Sequence, residues 1–331
     1  MTLGMQRRDF LGLIGTTLAV WPRAALALQR IPVVGFVGFA NPAVDSVMGV
    51  PFRKALADLG YVEGRTIIIE ARNANGDIAR GHALIDELAR IPVDVLFAPG
   101  PAAARAAVRK TKIPVVAIAL PAVQSDPELF QSLARPGGSL TGFSAFGEEM
   151  SAKRIAMLKE ILPGLTRLGV MHNATDPTFS AWGEQTMADT KKLGIEPIRV
   201  GLSAPTAAQV TEQIGKLADA GGTAMIVIRD YMTAAMINDI CRIGTEAKIA
   251  VIGEWAEFAR AGALFSYGAD IVDLSRRAAG YVDQILKGQK PAEMPIQLPT
   301  KFEMVVNLKT ARALGLAIPP TILVFADQTI E

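Results

Sequence analysis

Short continuous apolar runs alternate with amphipathic stretches along most of this chain, and the alternation occurs twice. Val33-Val34-Gly35-Phe36-Val37 is the first run, and it ends in the turn Gly38-Phe39-Ala40-Asn41-Pro42. Phe52, Ala55, Leu56 and Leu59 follow at the i, i+3, i+4, i+7 spacing of a helix, closed by Gly60. Further runs at residues 66–69, 93–98 and 115–119 predict strands, and residues 78–90 and 102–110 predict the helices between them. Strands that are apolar on both faces, separated by amphipathic helices, call for a parallel sheet covered on both sides.

Arg135-Pro136-Gly137-Gly138-Ser139-Leu140-Thr141-Gly142-Phe143-Ser144 interrupts this pattern, with a turn followed by a short extended segment. The alternation then restarts. Runs at 168–171, 197–200, 223–228 and 249–252 predict strands, with helical stripes at Ile155/Leu158/Leu162, Val210/Ile214/Leu217 and Met236/Ile240/Ile243 between them. Two further extended segments, at 262–268 and 291–299, match the first in character. Beyond them residues 302–306 predict a strand and 308–314 a helix closed by Gly315. The expected fold is therefore α/β, with two lobes of parallel sheet and the extended segments as crossings between them. At 331 residues the chain is long enough for two cores. The expected division is residues 28–141 with 268–296 for the N-terminal lobe, and 142–267 with 297–331 for the C-terminal lobe.

Several classes of function lack their residues. Lys and Arg total 34 against 32 Asp and Glu, a net charge of +2 without a dense basic run, so nucleic acid is not an expected partner. Cys241 is the one cysteine, which removes an intrachain disulfide or a cysteine-rich zinc cluster. Gly35 and Gly38 lack the spacing of a dinucleotide fingerprint. Gly142-Phe143-Ser144-Ala145-Phe146 has Phe where a nucleophile elbow needs its second Gly. No cofactor and no metal is expected, and no catalytic residue.

The N-terminus reads as an export signal over residues 1–27. Arg7-Arg8-Asp9-Phe10-Leu11 fits the twin-arginine pattern, an apolar run follows to about Val20, and Ala25-Leu26-Ala27 fits the cleavage site. With no cysteine after that run, a lipid-anchored mature N-terminus is not expected. The expected location is the periplasm.

Ligands of open parallel sheets bind beyond the C-terminal strand ends. Those ends offer Phe39, Asn41, Gly100, Ala102, Pro121 and Ser125 from the first half. The second half offers His172, Asn173, Asp176, Arg229, Asp230, Tyr231, Glu254 and Trp255, with Tyr267 at the second crossing. Arg229 suits two-point binding of a carboxylate, or a surface pairing with Asp230. The Ala102 amide sits where a helix N-terminus favours an anion. Trp255 suits an aromatic face, and Glu254 an ammonium or hydroxyl.

Longer motifs carry a family resemblance. Leu59-Gly60-Tyr61-Val62-Glu63-Gly64, Ala134-Arg135-Pro136-Gly137-Gly138, Ser266-Tyr267-Gly268 and above all Pro299-Thr300-Lys301-Phe302-Glu303-Met304-Val305-Val306-Asn307-Leu308-Lys309-Thr310-Ala311 resemble the ABC-transporter substrate-binding proteins of the tryptophan/tyrosine type. The resemblance implies a type I periplasmic-binding fold, two Rossmann-like lobes with parallel sheets joined by three hinge crossings, that closes on a small organic ligand, an amino acid or aromatic carboxylate. It also implies an ABC permease as partner and a monomer. Pro99-Gly100-Pro101 and Leu120-Pro121-Ala122 stand where family members commonly carry Gly-Thr-Pro-like and Gly-Asp-Pro-like turns, so no standard ammonium contact carries over. Two other roles fit the same pattern: a sensing subunit for a membrane receptor, or an exported hydrolase. Fusing residues 1–27 to a folded reporter should send it across the inner membrane; cytoplasmic retention, followed by fractionation, would contradict the export reading.

Overall fold

The computed structural model describes residues 30–331 apart from Gln124, Glu128, Phe146 and Glu148, so the export segment at residues 1–27 lies outside the described residues. The first half runs β1 (Val33–Gly38), α1 (Pro42–Asp58), β2 (Ile68–Asn73), α2 (Ile78–Ala89), β3 (Val95–Pro99), α3 (Pro101–Lys110), β4 (Val115–Leu120) and β5 (Leu140–Ser144). The second runs α4 (Ser151–Ile161), β6 (Arg167–Asn173), α5 (Pro177–Lys192), β7 (Glu196–Leu202), α6 (Ala207–Asp219) and β8 (Ala224–Val227). It continues through α7 (Tyr231–Ala235), α8 (Ile237–Glu246), β9 (Ala250–Gly253), α9 (Ala256–Arg260) and β10 (Phe265–Ala269). The chain ends with α10 (Ile271–Leu286), β11 (Phe302–Asn307), α11 (Leu308–Leu314), α12 (Pro320–Val324) and β12 (Gln328–Ile330). No helix among the described residues is long and apolar enough to cross a membrane.

The two sheets repeat one plan. The first has the order β2-β1-β3-β4-β5, and the second contains β7-β6-β8-β9-β10 with β11 and β12 added at its β10 edge. All pairs are parallel except β10 with β11, a departure from the all-parallel expectation. β1, β3 and β5 are buried along their whole length, as helices on both faces require. The edge strands β2 and β7 are longer than the apolar runs at 66–69 and 197–200, because pairing carries them on through half-buried polar residues. The first helix likewise begins ten residues before Phe52. Asn41 caps it, accepting from the Val44 amide at 2.9 Å, and Pro42 supplies a first-turn residue that needs no donor.

The chain passes between the sheets three times. It leaves the first sheet after β5, and returns after β10, when α10 packs on α1 and against β4. Residues 294–297 run beside β5 before the chain enters β11: Thr141 donates to the Met294 carbonyl at 2.8 Å, and the Gln297 amide to the Gly142 carbonyl at 3.0 Å.

β4 carries a register shift between Ala117 and Leu120, and Ala119 there adopts a left-handed φ of 57°. The irregularity bends the strand end, where Leu120 rejoins the ladder opposite Ser144 and Ala119, Leu120 and Pro121 line a cavity with residues of the second lobe. Opposite it, Gly142 has φ 146°, and a Cβ at that position would lie 1.8 Å from the Ala117 carbonyl oxygen. Only glycine fits this closely against a neighbouring backbone. Gly142→Ala should therefore lower unfolding stability by about 3 kcal/mol, read from chemical denaturation. Gly164→Ala, where a Cβ would meet nothing within 4 Å, serves as the neutral control.

Candidate functional site

Parallel strands all end on the same edge of their sheet, and each is followed there by a helix N-terminus. In this molecule the two edges face each other. Between them lie two adjoining cavities that share Pro101, Phe179 and Arg229 in their walls. The first is bounded by Phe39, Asp45, Gly100, Ala102, Asp230 and Tyr231, among others. The second reaches Pro121, Ala145, Gly147, Trp182, Glu254 and Trp255.

Arg229 is the centre of this arrangement. It follows the buried strand β8, is 8% exposed, and lays its guanidinium 3.3 Å from the centroid of the Trp255 ring. No carboxylate among the described residues comes within ion-pair distance of it, and it makes no hydrogen bond with them. Burial pulls its pKa down to about 10, against the opposing pull of Glu254, Glu257, Asp45 and Asp230, so it stays cationic at neutral pH. The alternative of a surface pairing with Asp230 does not describe it. Asp230 is instead the cap of α7: its carboxylate accepts from the Thr233 amide at 2.8 Å and from Asn173 at 2.5 Å. Burial raises the Asp230 pKa to about 6 despite those bonds.

The N-terminus of α3 adjoins Arg229. Gly100 holds the cap position at φ 110° with no side-chain cap, Pro101 follows, and Ala102 and Ala103 line the cavity. An uncapped helix start beside a buried cation is a ready site for an anion.

The second cavity is bounded by a buried polar cluster. Arg154 is 2% exposed and donates from Nε to the Tyr267 carbonyl at 2.6 Å and from Nη2 to the Gly147 carbonyl at 3.3 Å. Its Nη2 stands 3.8 Å from Glu254 Oε1, close enough to pair but too far to bond. Burial raises the Glu254 pKa; Arg154, Arg229 and the Trp255 indole favour its charged form, the indole without reaching hydrogen-bond geometry.

Several residues expected at the site do other work. Asn41 bridges the lobes, donating to the Ala235 carbonyl at 3.2 Å as well as capping α1. Asp176 caps α5, accepting from the Thr178 amide at 2.9 Å. Asn173 accepts from the Thr175 amide at 2.9 Å and braces Asp230. His172 turns into the lobe, with its ring against Gly183 and Nδ1 3.2 Å from the Val170 carbonyl; burial lowers its pKa. Ser125 lies in a turn after β4 outside both cavity walls. Tyr267 accepts from Lys153 at 2.9 Å and stacks on Phe302 with ring centroids 6.2 Å apart. Phe39, Gly100, Ala102, Pro121, Arg229, Asp230, Tyr231, Glu254 and Trp255 do line the cavities, and Phe39 meets Tyr231 edge-to-face at 6.3 Å across the lobes. The sequence reading missed Asp45, Phe179 and Trp182, which sit on helix turns rather than on strand ends. Their signal was the spacing of Asp45 four residues after the Asn41 cap, one helical turn into the cleft-facing end of α1.

A polar fork ties the lobes together at the cleft rim. Arg105 on α3 binds Asp126 at 2.9 Å in its own lobe, and Asp176 at 3.0 Å and Thr178 at 2.5 Å in the other. Burial works against its charge, and the two carboxylates outweigh that effect, so its pKa is raised.

A family profile described as ABC transporter substrate binding protein matches residues 31–330. A tyrosine-binding protein of Clostridioides difficile is 26% identical over 281 residues, covering 83% of this chain and 78% of that protein. Among solved structures, a conserved domain protein from Vibrio cholerae superposes with a TM-score of 0.83 at 25% identity, covering 91% of this chain and all of that one. An ABC domain from Streptococcus pneumonia in complex with L-Trp superposes at 0.81 and 23% identity, covering 90% and 99%. The fold is that of the type I periplasmic binding proteins, as the motifs implied.

Arg105→Ala would leave Asp126 and Asp176 without their cation. The expected result is a loss of about 3 kcal/mol in unfolding stability together with a larger radius of gyration by solution scattering in the absence of ligand. An unchanged radius would show that the fork does not hold the lobes together.

Proposed function

Because the chain belongs to the ABC transporter substrate binding protein family, a family of solute receptors rather than enzymes, we propose that it is the periplasmic receptor of an importer. In this reading it closes its lobes on a small organic carboxylate, an amino acid or an aromatic acid, and presents it to a membrane permease. The observation that carries the ligand class is Arg229, a buried guanidinium without an ion-pair partner among the described residues, lining the same cavity as the open end of α3. A carboxylate placed there would take two parallel bonds from the guanidinium and meet the backbone N–H groups of the helix start. Charge-assisted bonds of this kind form only when both lobes contribute, so ligand binding and closure are one event.

The apolar part of the ligand would meet Phe39 and Tyr231, with Phe179 and Trp182 beyond. One face of Trp255 already carries the Arg229 guanidinium, so Trp255 serves first to hold that cation flat and oriented. The tyrosine-binding relative and the L-Trp complex support an amino acid over a sugar as the first class to test.

Thermal-shift screening against amino acids, aromatic acids and sugars should give stabilisation by carboxylates. Arg229→Ala should then weaken the best of them by tenfold or more, with the unfolding midpoint of the free protein kept. A response to sugars alone, or unchanged affinity in the variant, would remove the proposed ligand class or Arg229's role in it.

A further inference from the structure

Asp45 is a buried carboxylate to which neither the fold nor the family motifs give a task. It lies in the first turn of α1, is 4% exposed, and lines the same cavity as Arg229, Asp230, Tyr231 and Phe39. Asn73 donates to its Oδ2 from the adjacent strand β2. The chain makes room for it at Gly38, where a Cβ would lie 1.8 Å from Oδ2. No cation among the described residues pairs with it. Arg229 faces it from the other lobe, beyond ion-pair distance but near enough to act on its charge.

Of the other acids, Asp230 is bonded to Asn173 and Thr233, and Asp176 to Arg105. Glu254 stands 3.8 Å from Arg154 and lines the second cavity rather than the first. At the first cavity there remain one negative group on the first lobe and one positive group on the second, bordering a single space without touching. We propose that Asp45 receives the ammonium group of the ligand, so that this protein selects α-amino acids over the matching carboxylic acids that lack the amine.

The assignment rests on the reading that Arg229 and the α3 terminus take the ligand carboxylate. A zwitterion would neutralise both groups at once. A deamino acid would satisfy Arg229 and bring a second negative charge toward Asp45, whose buried carboxylate would stay unpaired. A site built to bond a polar group rejects the analogue lacking it more strongly than an apolar pocket rejects a missing methylene.

The same geometry couples binding to pH. Burial holds the Asp45 pKa up at about 7, against the pull of Arg229, Asn73 and the Ala40 backbone. The charged or titratable groups around it are Arg229, Asp230 and Tyr231 across the cavity, with Arg53 of α1 and Arg72 of β2 behind. An ammonium binds the ionised form, so affinity should fall as pH drops through 7, by about tenfold between pH 8 and pH 6.

The test is calorimetric titration of the full mature chain with matched pairs: L-tyrosine and 3-(4-hydroxyphenyl)propionate, L-tryptophan and indole-3-propionate, L-leucine and 4-methylpentanoate. At pH 8 at least one amino acid should bind tenfold or more tighter than its partner. Asp45→Asn should reduce that amino acid's affinity by tenfold or more, leave the deamino acid within about threefold, and flatten the pH 8 to pH 6 loss. Asp230 titrates in both proteins, so the difference between them isolates Asp45. If Asp45→Asn fails to fold, the matched-pair ratio and pH profile of the unsubstituted protein decide alone. Equal affinity within every pair, or equal losses for both members in the variant, would overturn the role of Asp45 and leave the carboxylate reading standing. Binding of neither member of any pair, with glucose or galactose bound instead, would overturn both.

Discussion

A parallel sheet places every strand end, and the helix start that follows it, on one edge. When two such sheets face each other, the cleft between them is surrounded by helix N-termini, each with N–H groups that lack intrahelical partners. Side chains cap several of these helix starts. Asn41 caps α1, Asp77 caps α2, Asp176 caps α5 and Asp230 caps α7. At the start of α3 a glycine stands at the cap, with no side-chain bond, and Arg229 lines the same cavity. The starts of α4, α8, α9 and α12 also lack a side-chain cap, but these begin elsewhere or belong to short helices. The open start of the ten-residue α3 shares a cavity wall with a buried guanidinium, and the carboxylate reading follows from that pairing.

The same constraint explains which parts of the site were legible in the sequence. Both sheets announced themselves through fully buried apolar runs, since strands covered on two faces have no polar positions to obscure them. The edge strands β2 and β7 were shortened, because their solvated residues break the run. For the cleft, position at a strand end identified Arg229, Tyr231 and Trp255. The identical criterion also collected Asp176, Asn173 and His172, which face caps, loops or the interior of the lobe. Strand-end position tells which loop faces the cleft, and the direction of a side chain depends on whether the following helix needs it as a cap. Asp45 escaped for the converse reason. It is a helix residue one turn from its cap, and only the packing against Gly38 and Asn73 reveals that it is held in place as a buried charge.

Two kinds of interaction hold the lobes against each other. Arg105 and Asn41 make polar contacts at the rim, whereas Phe39 and Tyr231 meet edge-to-face in the interior. The rim contacts are complete within the protein. The interior is not, since Arg229 lacks an ion-pair partner among the described residues. Closure therefore carries an unfavourable burial of charge, partly offset by the Trp255 ring and by the rim. A ligand that removes that penalty gains affinity from the difference, without any new shape being created.

The route of the chain has a consequence for biogenesis. α10, at Ile271–Leu286, packs on α1 and closes one face of the first sheet, whose strands β1 to β4 are all complete by Leu120. The first lobe thus waits for a segment made about one hundred and fifty residues later, a long loop whose closure carries an entropic cost and slows folding. During synthesis the face of β3 and β4 that α10 covers stays open while β6 to β10 of the second sheet are being made. The first lobe cannot complete its native packing until α10 has been made.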